Sequence, residues 1–542
     1  MQFFHTPAQE CYNKTVSKIT KYLNQLITGN VFDTPEICEA YSTDRSILKV
    51  IPKLVAFPES TEDLRRLMKF FNQLTVKNIR VPVVIRGSGL DETGSDLSSG
   101  IVVSTEKLNH LMEIDTRERL VRVQSGITLK ELNTALSVCG LTIPVGASEN
   151  ETIGSLISNC PTDPYSSKYG GIMNFVERAE IILPNGECIQ TGRLGMHSLI
   201  KKFNEGTLEG KIYQSLLDIV KDNTETIEKI KKQTTSVGYQ PLVYAVRKDS
   251  IDLLPLLFSA QGTLGIISEV ILHAEVLPPR PVRFVATLPD FKSTYTVMKF
   301  INELKPREVN FYDLRIIRTA EAYGKDLSKI IKKSEEGYVV YASFDEKGNK
   351  AQKKLKQCAD FLKNSSKILI EDDDNRKIFD ELENSLISYL NLSPEKECLP
   401  LITDFYIPSE RLADFIDELH VLEDKLKTDF PLYGSFSTSN YHVRPEFNLE
   451  LKNERKKAVL FLKTGALLIH RQNGALASGS PDGRVKALVT NEEISKEEKA
   501  LYKEIKNLFD PNNILNPGIK VFADPRFTIN HIRDHRLPKI NL

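Results

Sequence analysis

A glycine-rich segment, "RGSGLDETGS", lies between two apolar runs, "IRVPVVI" and "GIVVS". It spans Arg86 to Ser95, and the flanking runs predict β-strands. Several glycines let successive backbone N–H groups turn the same way, which makes a nest for an anion such as a diphosphate. A glycine-rich hairpin that binds nothing would have the same composition, so this stretch alone leaves both interpretations open.

Two common phosphate-binding loops do not fit this segment. The Walker A loop requires G-x-x-x-x-G-K-[ST], whereas here Gly94 and Ser95 are followed by Asp96 and no lysine is present. The dinucleotide fingerprint G-x-G-x-x-G must open a helix, whereas this loop leads into a second strand-like run. A nucleotide site at this position must therefore be of another type.

The bulk composition restricts the classes of function. A chain of 542 residues is too long for one hydrophobic core, so two or more domains are expected. Lys plus Arg and Asp plus Glu both number 72, and this zero net charge disfavours a nucleic acid as the main partner. The N-terminus resembles no signal peptide, and no apolar stretch approaches ~18 residues, so neither export nor membrane spanning is predicted.

The seven cysteines are scattered, with no C-x-x-C pair and no Cys/His cluster. Neither a zinc site nor an iron–sulfur cluster is therefore predicted. Reduced thiols of this kind favour a cytoplasmic location.

The pattern of apolar runs changes along the chain. Residues 1–48 are predicted to form a helical extension, and residues 49–279 alternate short strands with helices. Residues 280–495 alternate strands and helices in a way that predicts an antiparallel sheet, and residues 496–542 form a C-terminal segment. Together these patterns predict an α+β protein.

Three further segments carry a family resemblance together with the glycine loop. They are "GASENETIGSLISNCPTDPYSSKYGGIMNFVERAEIILPNGE", "SAQGTLGIISEVIL" and "LFDPNNILNPGIK". In order and spacing, the four segments resemble the flavoproteins of the vanillyl-alcohol oxidase (PCMH-type) superfamily, and within it the glycolate oxidase and D-lactate dehydrogenase branch. The resemblance extends from about Lys49 to Lys520.

The resemblance implies a fold and a cofactor. It implies a PCMH-type FAD-binding domain of two α/β subdomains at 49–279, a ferredoxin-like antiparallel cap at 280–495, and a return of residues 496–542 to the FAD domain. Some relatives attach FAD through a histidine near the first loop. No histidine lies between Arg86 and Ser104, and His110 lies beyond the loop, so non-covalent FAD is expected.

Residues for FAD binding follow from the matched motifs. Thr152 also precedes a predicted helix, whose N-terminal N–H groups would face an anion. The residues that the resemblance implies for FAD are Arg86, Gly87, Ser88, Gly89, Leu90, Asp91, Gly94, Ser95, Gly146, Ser148, Thr152, Ile153, Gly154, Ser158, Asn159, Tyr169, Gly170, Gly265, Ile266 and Asn516.

The metal-binding elements of this branch are incomplete here. Relatives carry G-H-x-G-D-G-N-x-H, and the matching stretch "GSFSTSNYH" has Ser435 in place of the first histidine. Relatives also carry G-E-H-G-x-G-R, and Ser480-Pro481 stands where Glu-His would be. A site commonly needs three or four ligands, so no metal is predicted.

His442 remains as a candidate general base for a substrate hydroxyl, or as a structural hydrogen-bonding residue. Arg444 would share its face of a strand and could bind a carboxylate, with a surface salt bridge as the alternative. Arg484 is a second candidate anion clamp, and Asp404 is expected to have a structural role.

The expected function is FAD-dependent oxidation of a small hydroxy-substrate by hydride transfer to flavin N5. The first choice of substrate is a 2-hydroxy acid such as D-lactate or glycolate, and the electron acceptor is oxygen, a quinone or a protein carrier. A homodimer is compatible with the sequence. The alternatives are an oxidase of another alcohol or a sugar, and a flavin-binding subunit or sensor without catalysis.

Overall fold

The computed structural model describes residues 17–235, 237–322, 327–330, 336–363, 367–384, 396–477, 482–490 and 493–537. Helices and sheets are segregated into three sheet-based regions, which confirms the predicted α+β class. None of the helices in these residues is long and apolar enough to cross a bilayer. The predicted helical extension also contains β structure, since Asn30–Phe32 joins a sheet, and its first 16 residues lie outside the described chain.

The first sheet carries the glycine loop. Its strands run in the order β1-β2-β4-β3, with β2, β4 and β3 parallel. Ser60 caps the following helix by accepting a hydrogen bond from the N–H of Asp63, as predicted from "STED". The elements are β1 (Asn30–Phe32), β2 (Leu54–Phe57), β3 (Val83–Arg86), β4 (Ile101–Ser104), α1 (Lys18–Leu26), α2 (Pro35–Ala40) and α3 (Thr61–Val76).

The second sheet is antiparallel and lies next in the chain. Its strands run in the order β5-β6-β13-β8-β9. The strands of this region are β5 (Leu111–Asp115), β6 (Leu120–Gln124), β7 (Leu141–Thr142), β8 (Val176–Ile182), β9 (Cys188–Gln190), β10 (Leu194–Gly195), β11 (Val246–Arg247), β12 (Ser250–Ile251), β13 (Ile266–His273) and β14 (Glu275–Val276). Its helices are α4 (Leu129–Val138), α5 (Ile153–Asn159), α6 (Ser166–Tyr169), α7 (Met196–Asn204), α8 (Leu208–Asp222) and α9 (Thr224–Ile230).

The third sheet forms the cap. Its strands are β15 (Val282–Leu288), β16 (Glu308–Asp313), β17 (Tyr338–Phe344), β18 (Lys367–Ile370), β19 (Glu397–Cys398), β20 (Ile402–Tyr406), β21 (Leu432–Ser435), β22 (Asn440–Val443) and β23 (Glu446–Phe447). Its helices are α10 (Phe291–Glu303), α11 (Leu314–Ala322), α12 (Lys350–Leu362), α13 (Arg376–Asn384), α14 (Leu412–Leu426) and α15 (Lys452–Arg471). The order β18-β15-β17-β16 is that of a ferredoxin-like sheet, and β21, β22 and β20 extend it.

The C-terminal elements are α16 (Ala487–Thr490), α17 (Lys496–Phe509) and α18 (Pro525–Asn530). After α17 the chain returns to the first sheet, where Leu515 bridges Val83 on β3. Further on, Ile532 bridges Leu48 near the N-terminus. Both ends of the described chain therefore support the region that carries the glycine loop.

Candidate functional site

A cavity of about 1010 Å³ lies where the loops of the first two sheets meet the cap sheet. One wall contains Gly146 and Glu151, and the opposite wall contains Tyr433 and His442 from the cap. A narrower cleft runs from the cavity beneath the glycine loop, and Leu90, Asp91 and Asn159 line both spaces. A ligand with one end under the loop would present its other end to the cap.

The glycine loop turns backbone N–H groups away from protein acceptors. Among the described residues, no acceptor is recorded for the N–H groups of Gly87, Ser88, Gly89 and Leu90. Gly89 adopts a φ of 71° and Gly94 a φ of 76°, in the left-handed region that glycine tolerates best. Polar N–H groups beside a cleft and without protein partners fit the diphosphate of a dinucleotide.

Other glycines are required by close packing around the cleft. A Cβ added to Gly87 would lie 2.4 Å from Oγ1 of Thr152, and one added to Gly154 would lie 2.9 Å from Cβ of Ser125. These approaches bring the loop, α5 and the turn after β6 together around one space.

The start of α5 differs from the prediction. Its first N–H groups are not available to an anion, because those of Ile153 and Gly154 donate to the carbonyls of Ile127 and Ser125. The N–H of Ser155 donates to Oγ1 of Thr152 at 3.3 Å. In a helix of only 7 residues these bonds satisfy the N-terminal turn, so the loop and not the helix supplies the nest.

The structure brings together twelve of the residues proposed for FAD binding, all of which line the cleft or the cavity: Gly87, Gly89, Leu90, Asp91, Ser95, Gly146, Gly154, Ser158, Asn159, Tyr169, Gly265 and Ile266. The others do not line either space: Arg86, Ser88, Gly94, Ser148, Thr152, Ile153, Gly170 and Asn516. Sequence reasoning missed Ser125, Gln261 and Gly262 in the cleft, although the last two lie inside the quoted segment "SAQGTLG".

Asn516 holds protein segments together, which differs from its predicted contact with FAD. Its Nδ2 donates to the carbonyls of Ser95 and Gln261 at 2.7 and 2.8 Å. Its Oδ1 accepts from Arg484 at 3.1 Å. All amide atoms of this buried side chain are thus used within the protein, and they join the glycine loop to the C-terminal segment.

Arg484 is not an anion clamp in this structure. Besides Asn516, its guanidinium donates to the carbonyls of Leu97 and Pro517, and it lies outside the cavity lining. Burial lowers its pKa to about 10. The side chain fastens the C-terminal segment to the glycine loop instead of facing a substrate.

Arg444 also binds other protein groups and does not face a substrate. Its Nη2 lies 2.9 Å from both carboxylate oxygens of Glu92 and donates to the hydroxyl of Tyr433 at 3.1 Å. Only 7% of the Arg444 side chain is exposed. Of the two roles that the sequence left open for Arg444, the structure has the salt bridge, which is buried and ties the cap to the glycine loop.

Of the three predicted catalytic residues, only His442 lines the cavity. Its ring stacks on Tyr433 with centroids 4.6 Å apart, and its Nδ1 accepts the backbone N–H of Asp404 at 3.2 Å. Burial lowers the pKa of His442, which favours the neutral ring. Because Nδ1 accepts, the neutral ring carries its proton on Nε2, and in this tautomer His442 can donate a hydrogen bond from Nε2. Its role as a general base stays a prediction.

Glu151 is a titratable group that the sequence argument overlooked. It lines the cavity, and its carboxyl has no hydrogen bond to any described residue. Burial raises the pKa of Glu151 to about 8, and the negative charges of Asp91, Asp404 and Glu92 add to this shift. The positive charge of Arg45 opposes it. A carboxyl that titrates near neutral pH beside a cavity is suited to proton transfer.

Carboxylates also crowd the base of the glycine loop. Oxygens of Asp44, Asp91 and Asp96 all lie within 4.8 Å of one another. Burial and the charge of Asp96 raise the pKa of Asp91 to about 6. Such a group is stabilised by a shared proton or by a cation. Of the positions at which the resemblance implies metal ligands, Ser435 lies in the cavity lining and Ser480-Pro481 lies outside the described residues.

The cap face presents two cross-strand rows to the cavity. Tyr312, Tyr433 and His442 are paired across β16, β21 and β22, and Asn310, Ser435 and Asn440 form the next row. All six line the cavity. Asp404, between the paired residues Ile402 and Phe405 of β20, adopts a φ of 55° and lines it as well.

Comparison with known proteins places this geometry in a family. Residues 52–192 match the family described as FAD binding domain, and residues 277–519 match that of the C-terminal domain of FAD linked oxidases. The chain is 25% identical over 501 residues to a D-2-hydroxyglutarate dehydrogenase of Pantoea ananatis, covering 88% of this chain and 48% of that protein. It is 25% identical to a D-lactate dehydrogenase of Archaeoglobus fulgidus, covering 89% of this chain and 95% of that protein.

The chain thus spans about half the length of the curated D-2-hydroxyglutarate dehydrogenases it matches. Among solved structures, 4-ethylphenol oxidase from Gulosibacter chungangensis superposes with a TM-score of 0.68 at 14% identity, covering 95% of this chain and 99% of that one. An alkyldihydroxyacetonephosphate synthase superposes with a TM-score of 0.65 at 15% identity, covering 93% and 86%.

These structural matches share the fold, and the residues beneath the glycine loop fit the diphosphate of FAD. The two family matches together cover both the region of the glycine loop and the cap. The chain therefore carries both an FAD binding domain and the C-terminal domain of the FAD-linked oxidases.

Proposed function

We propose that the chain is an FAD-dependent oxidoreductase that oxidises the CH–OH group of a small 2-hydroxy acid. The observation that carries the proposal is that the cleft beneath the glycine loop adjoins a large cavity beneath the cap, since Leu90, Asp91 and Asn159 line both. Relatives named D-lactate dehydrogenase and glycolate oxidase subunit support this choice of substrate.

FAD would be held by the N–H groups of Gly87 to Leu90, in the cleft that Gly154 and Gly265 also line. We infer that it is bound without a covalent link. His110, the histidine nearest to the loop in sequence, uses Nδ1 in a 2.8 Å hydrogen bond with Gln124. Acid precipitation that leaves the yellow colour in the supernatant would support this inference, whereas colour in the pellet would contradict it.

The bound flavin supplies a two-electron acceptor for the hydride that leaves the substrate carbon. Glu151, when ionised, takes the hydroxyl proton, so that the alcohol becomes a carbonyl as the C–H bond breaks. His442 donates from Nε2 to a substrate oxygen and so fixes the orientation of the substrate. The final electron acceptor would be oxygen, a quinone or a protein carrier.

The test is anaerobic bleaching of the flavin by a panel of 2-hydroxy acids. Bleaching by at least one of them, and its loss in Glu151→Gln, would support the proposal. Glu149→Gln is the matched control, because Glu149 lies in the same loop but pairs with Lys130 at 3.5 Å. Oxidation that proceeds equally in Glu151→Gln would remove Glu151 from the mechanism.

A flavin-binding subunit without catalysis remains a second candidate. This candidate is favoured because Arg444 binds Glu92 and Arg484 binds Asn516, so that neither guanidinium faces a substrate carboxylate. A protein that binds FAD stoichiometrically but is bleached by no alcohol, sugar or hydroxy acid would favour this candidate.

The cytoplasmic location and the homodimeric state of the chain are also predictions. Cell fractionation would check the location, and light scattering would check the oligomeric state.

A further inference from the structure

The charge of the cavity is unbalanced. Among the described residues that line it, eight carry carboxylates and three carry permanent positive charges. All three cations are already paired: Lys130 with Glu149 at 3.5 Å, Arg280 with Glu371 at 2.5 Å and Arg307 with Glu308 at 2.7 Å. Four of the eight carboxylates are themselves held in ion pairs: Glu92 with Arg444, Glu149 with Lys130, Glu308 with Arg307 and Asp345 with Lys168. A cation would therefore be attracted locally, at Asp404 beside the cap row.

The polar row on the cap contains unused hydrogen-bond acceptors. Nδ2 of Asn310 donates to Glu308 at 2.8 Å, and Nδ2 of Asn440 donates to the carbonyl of Thr162 at 2.8 Å. Because these partners only accept, the orientation of both amides is fixed. Among the described residues, Oδ1 of each side chain then has no hydrogen-bond partner, and both side chains are buried, with 8% of Asn310 and 3% of Asn440 exposed. A buried acceptor of this kind is satisfied by a ligand that donates.

Asp404 adds a negative charge beside this row. Its Oδ1 accepts from Nδ2 of Asn440 at 3.1 Å, and 18% of its side chain is exposed. Lys486 contributes a positive charge nearby, but it does not line the cavity, and burial lowers its pKa. The neighbouring row of Tyr312, Tyr433 and His442 also lines the cavity, with the ring of Tyr433 stacked against those of Tyr312 and His442.

We propose that the substrate carries a protonated amine at its non-reacting end, and that this amine binds at the cap row beside Asp404. An ammonium group donates three hydrogen bonds, which suits Asp404 and the oxygens of Asn310 and Asn440 after a small adjustment of the side chains. A 2-hydroxy acid with an amine is a zwitterion, so it enters the acidic cavity without the penalty of a net anion. This inference rests on the proposed function and specifies its substrate class.

The first experiment uses ligands that cannot react. Isothermal titration of the holoenzyme compares 3-aminopropanoate, 3-hydroxypropanoate and propanoate, which lack the 2-hydroxyl group and differ only at the far end. We expect 3-aminopropanoate to bind at least tenfold more tightly than the other two. Equal or tighter binding of propanoate would overturn the proposal, and tightest binding of 3-hydroxypropanoate would indicate a polyol site instead.

Asp404→Asn tests the residue assignment. Asparagine tolerates the φ of 55° at this position and keeps the shape of the side chain, so the charge alone is removed. The preference for 3-aminopropanoate should fall below threefold, whereas Asp414→Asn, an exposed position on α14 outside the cavity lining, should leave it unchanged. A full preference in Asp404→Asn would overturn the role of Asp404.

The reacting series separates this inference from the proposed function. D-Lactate, D-glycerate and D-3-amino-2-hydroxypropanoate carry CH₃, CH₂OH and CH₂NH₃⁺ on the same skeleton, and anaerobic bleaching of the flavin is followed with each. Fastest bleaching by the amine, at least tenfold in second-order rate constant, supports the inference. Equal rates overturn it but keep the proposed function. If none of the three compounds bleaches the flavin, the proposed function is contradicted. The binding preference measured by isothermal titration then tests the inference alone.

Discussion

The cleft beneath the glycine loop and the cap face of the cavity are assembled differently. The cleft is built from short contiguous segments, in which Gly87, Gly89 and Leu90 come from one loop and Gly154 and Ser158 from one helix. The cap face takes single residues from separate strands, so that Asn310, Ser435 and Asn440 meet only through strand pairing. A contiguous segment is recognisable as a motif, whereas a cross-strand row is not.

The two regions also differ in charge and in the kind of hydrogen-bonding group that each presents to a ligand. The loop offers N–H donors that suit an anion, whereas the cap offers amide oxygens and a carboxylate that suit a donor. Glu151 lies where the two regions meet. Substitutions that act on one region and spare the other therefore test whether this division is correct.

The largest effect is expected for Glu151→Gln. Removal of a general base commonly costs about 100-fold or more, so we expect kcat/KM at pH 8 to fall by about that factor. In the unsubstituted protein kcat/KM should rise as the pH rises through about 8, because the base is active only when ionised. The pH profile of Glu151→Gln should lack this rise, and an unchanged profile would contradict the assignment.

Asn516→Ala should weaken the cleft without touching the cap. It leaves the buried carbonyls of Ser95 and Gln261 without their donor, so the free energy of unfolding should fall by about 2–3 kcal/mol. Urea unfolding and fluorescence titration with FAD measure stability and affinity. Asn512→Ala, which loses one partly buried hydrogen bond to Asn72, should cost under about 1 kcal/mol. Equal losses of stability in both variants would contradict the proposal that Asn516 joins the glycine loop to the C-terminal segment.

His442→Phe should affect the cap with little change in the cleft. Phenylalanine preserves stacking on Tyr433 but removes the Nε2 donor, so KM should rise about tenfold while kcat stays within about threefold. Steady-state kinetics at saturating acceptor measure both constants. If kcat falls about 100-fold instead, His442 acts as the base after all. His442→Gln, which restores a donor, should recover part of the affinity.

The smallest effect is expected from chelation. Ser435 stands where relatives place a metal-binding histidine, so dialysis against EDTA should change the rate by less than about twofold. A large loss that Mg²⁺ or Mn²⁺ reverses would show that a cation is needed, with Asp44, Asp91 and Asp96 as the group to examine. Metal analysis of the purified protein provides the independent measurement.

Several features of the fold were predictable from local patterns. The Ser60 cap and the alternation of strands and helices follow from periodicity and capping chemistry. The predicted helical extension nevertheless contains a strand at Asn30–Phe32, because a three-residue strand is stabilised by its partner β2 and not by its own sequence. The anion-binding roles suggested for Arg444 and Arg484 were not supported, since their partners Glu92 and Asn516 lie far away in the chain.

The sequence by itself determined where another group can approach the backbone closely, because the absence of a side chain at Gly87 and Gly154 is a local chemical fact. It also determined the order of motifs that indicates FAD. Only the tertiary structure decided the ionisation of Glu151 and the tautomer of His442, since burial and neighbouring charges set a pKa. It likewise decided that Asn310 and Asn440 share one row, because strand pairing joins residues that are 130 positions apart in the sequence.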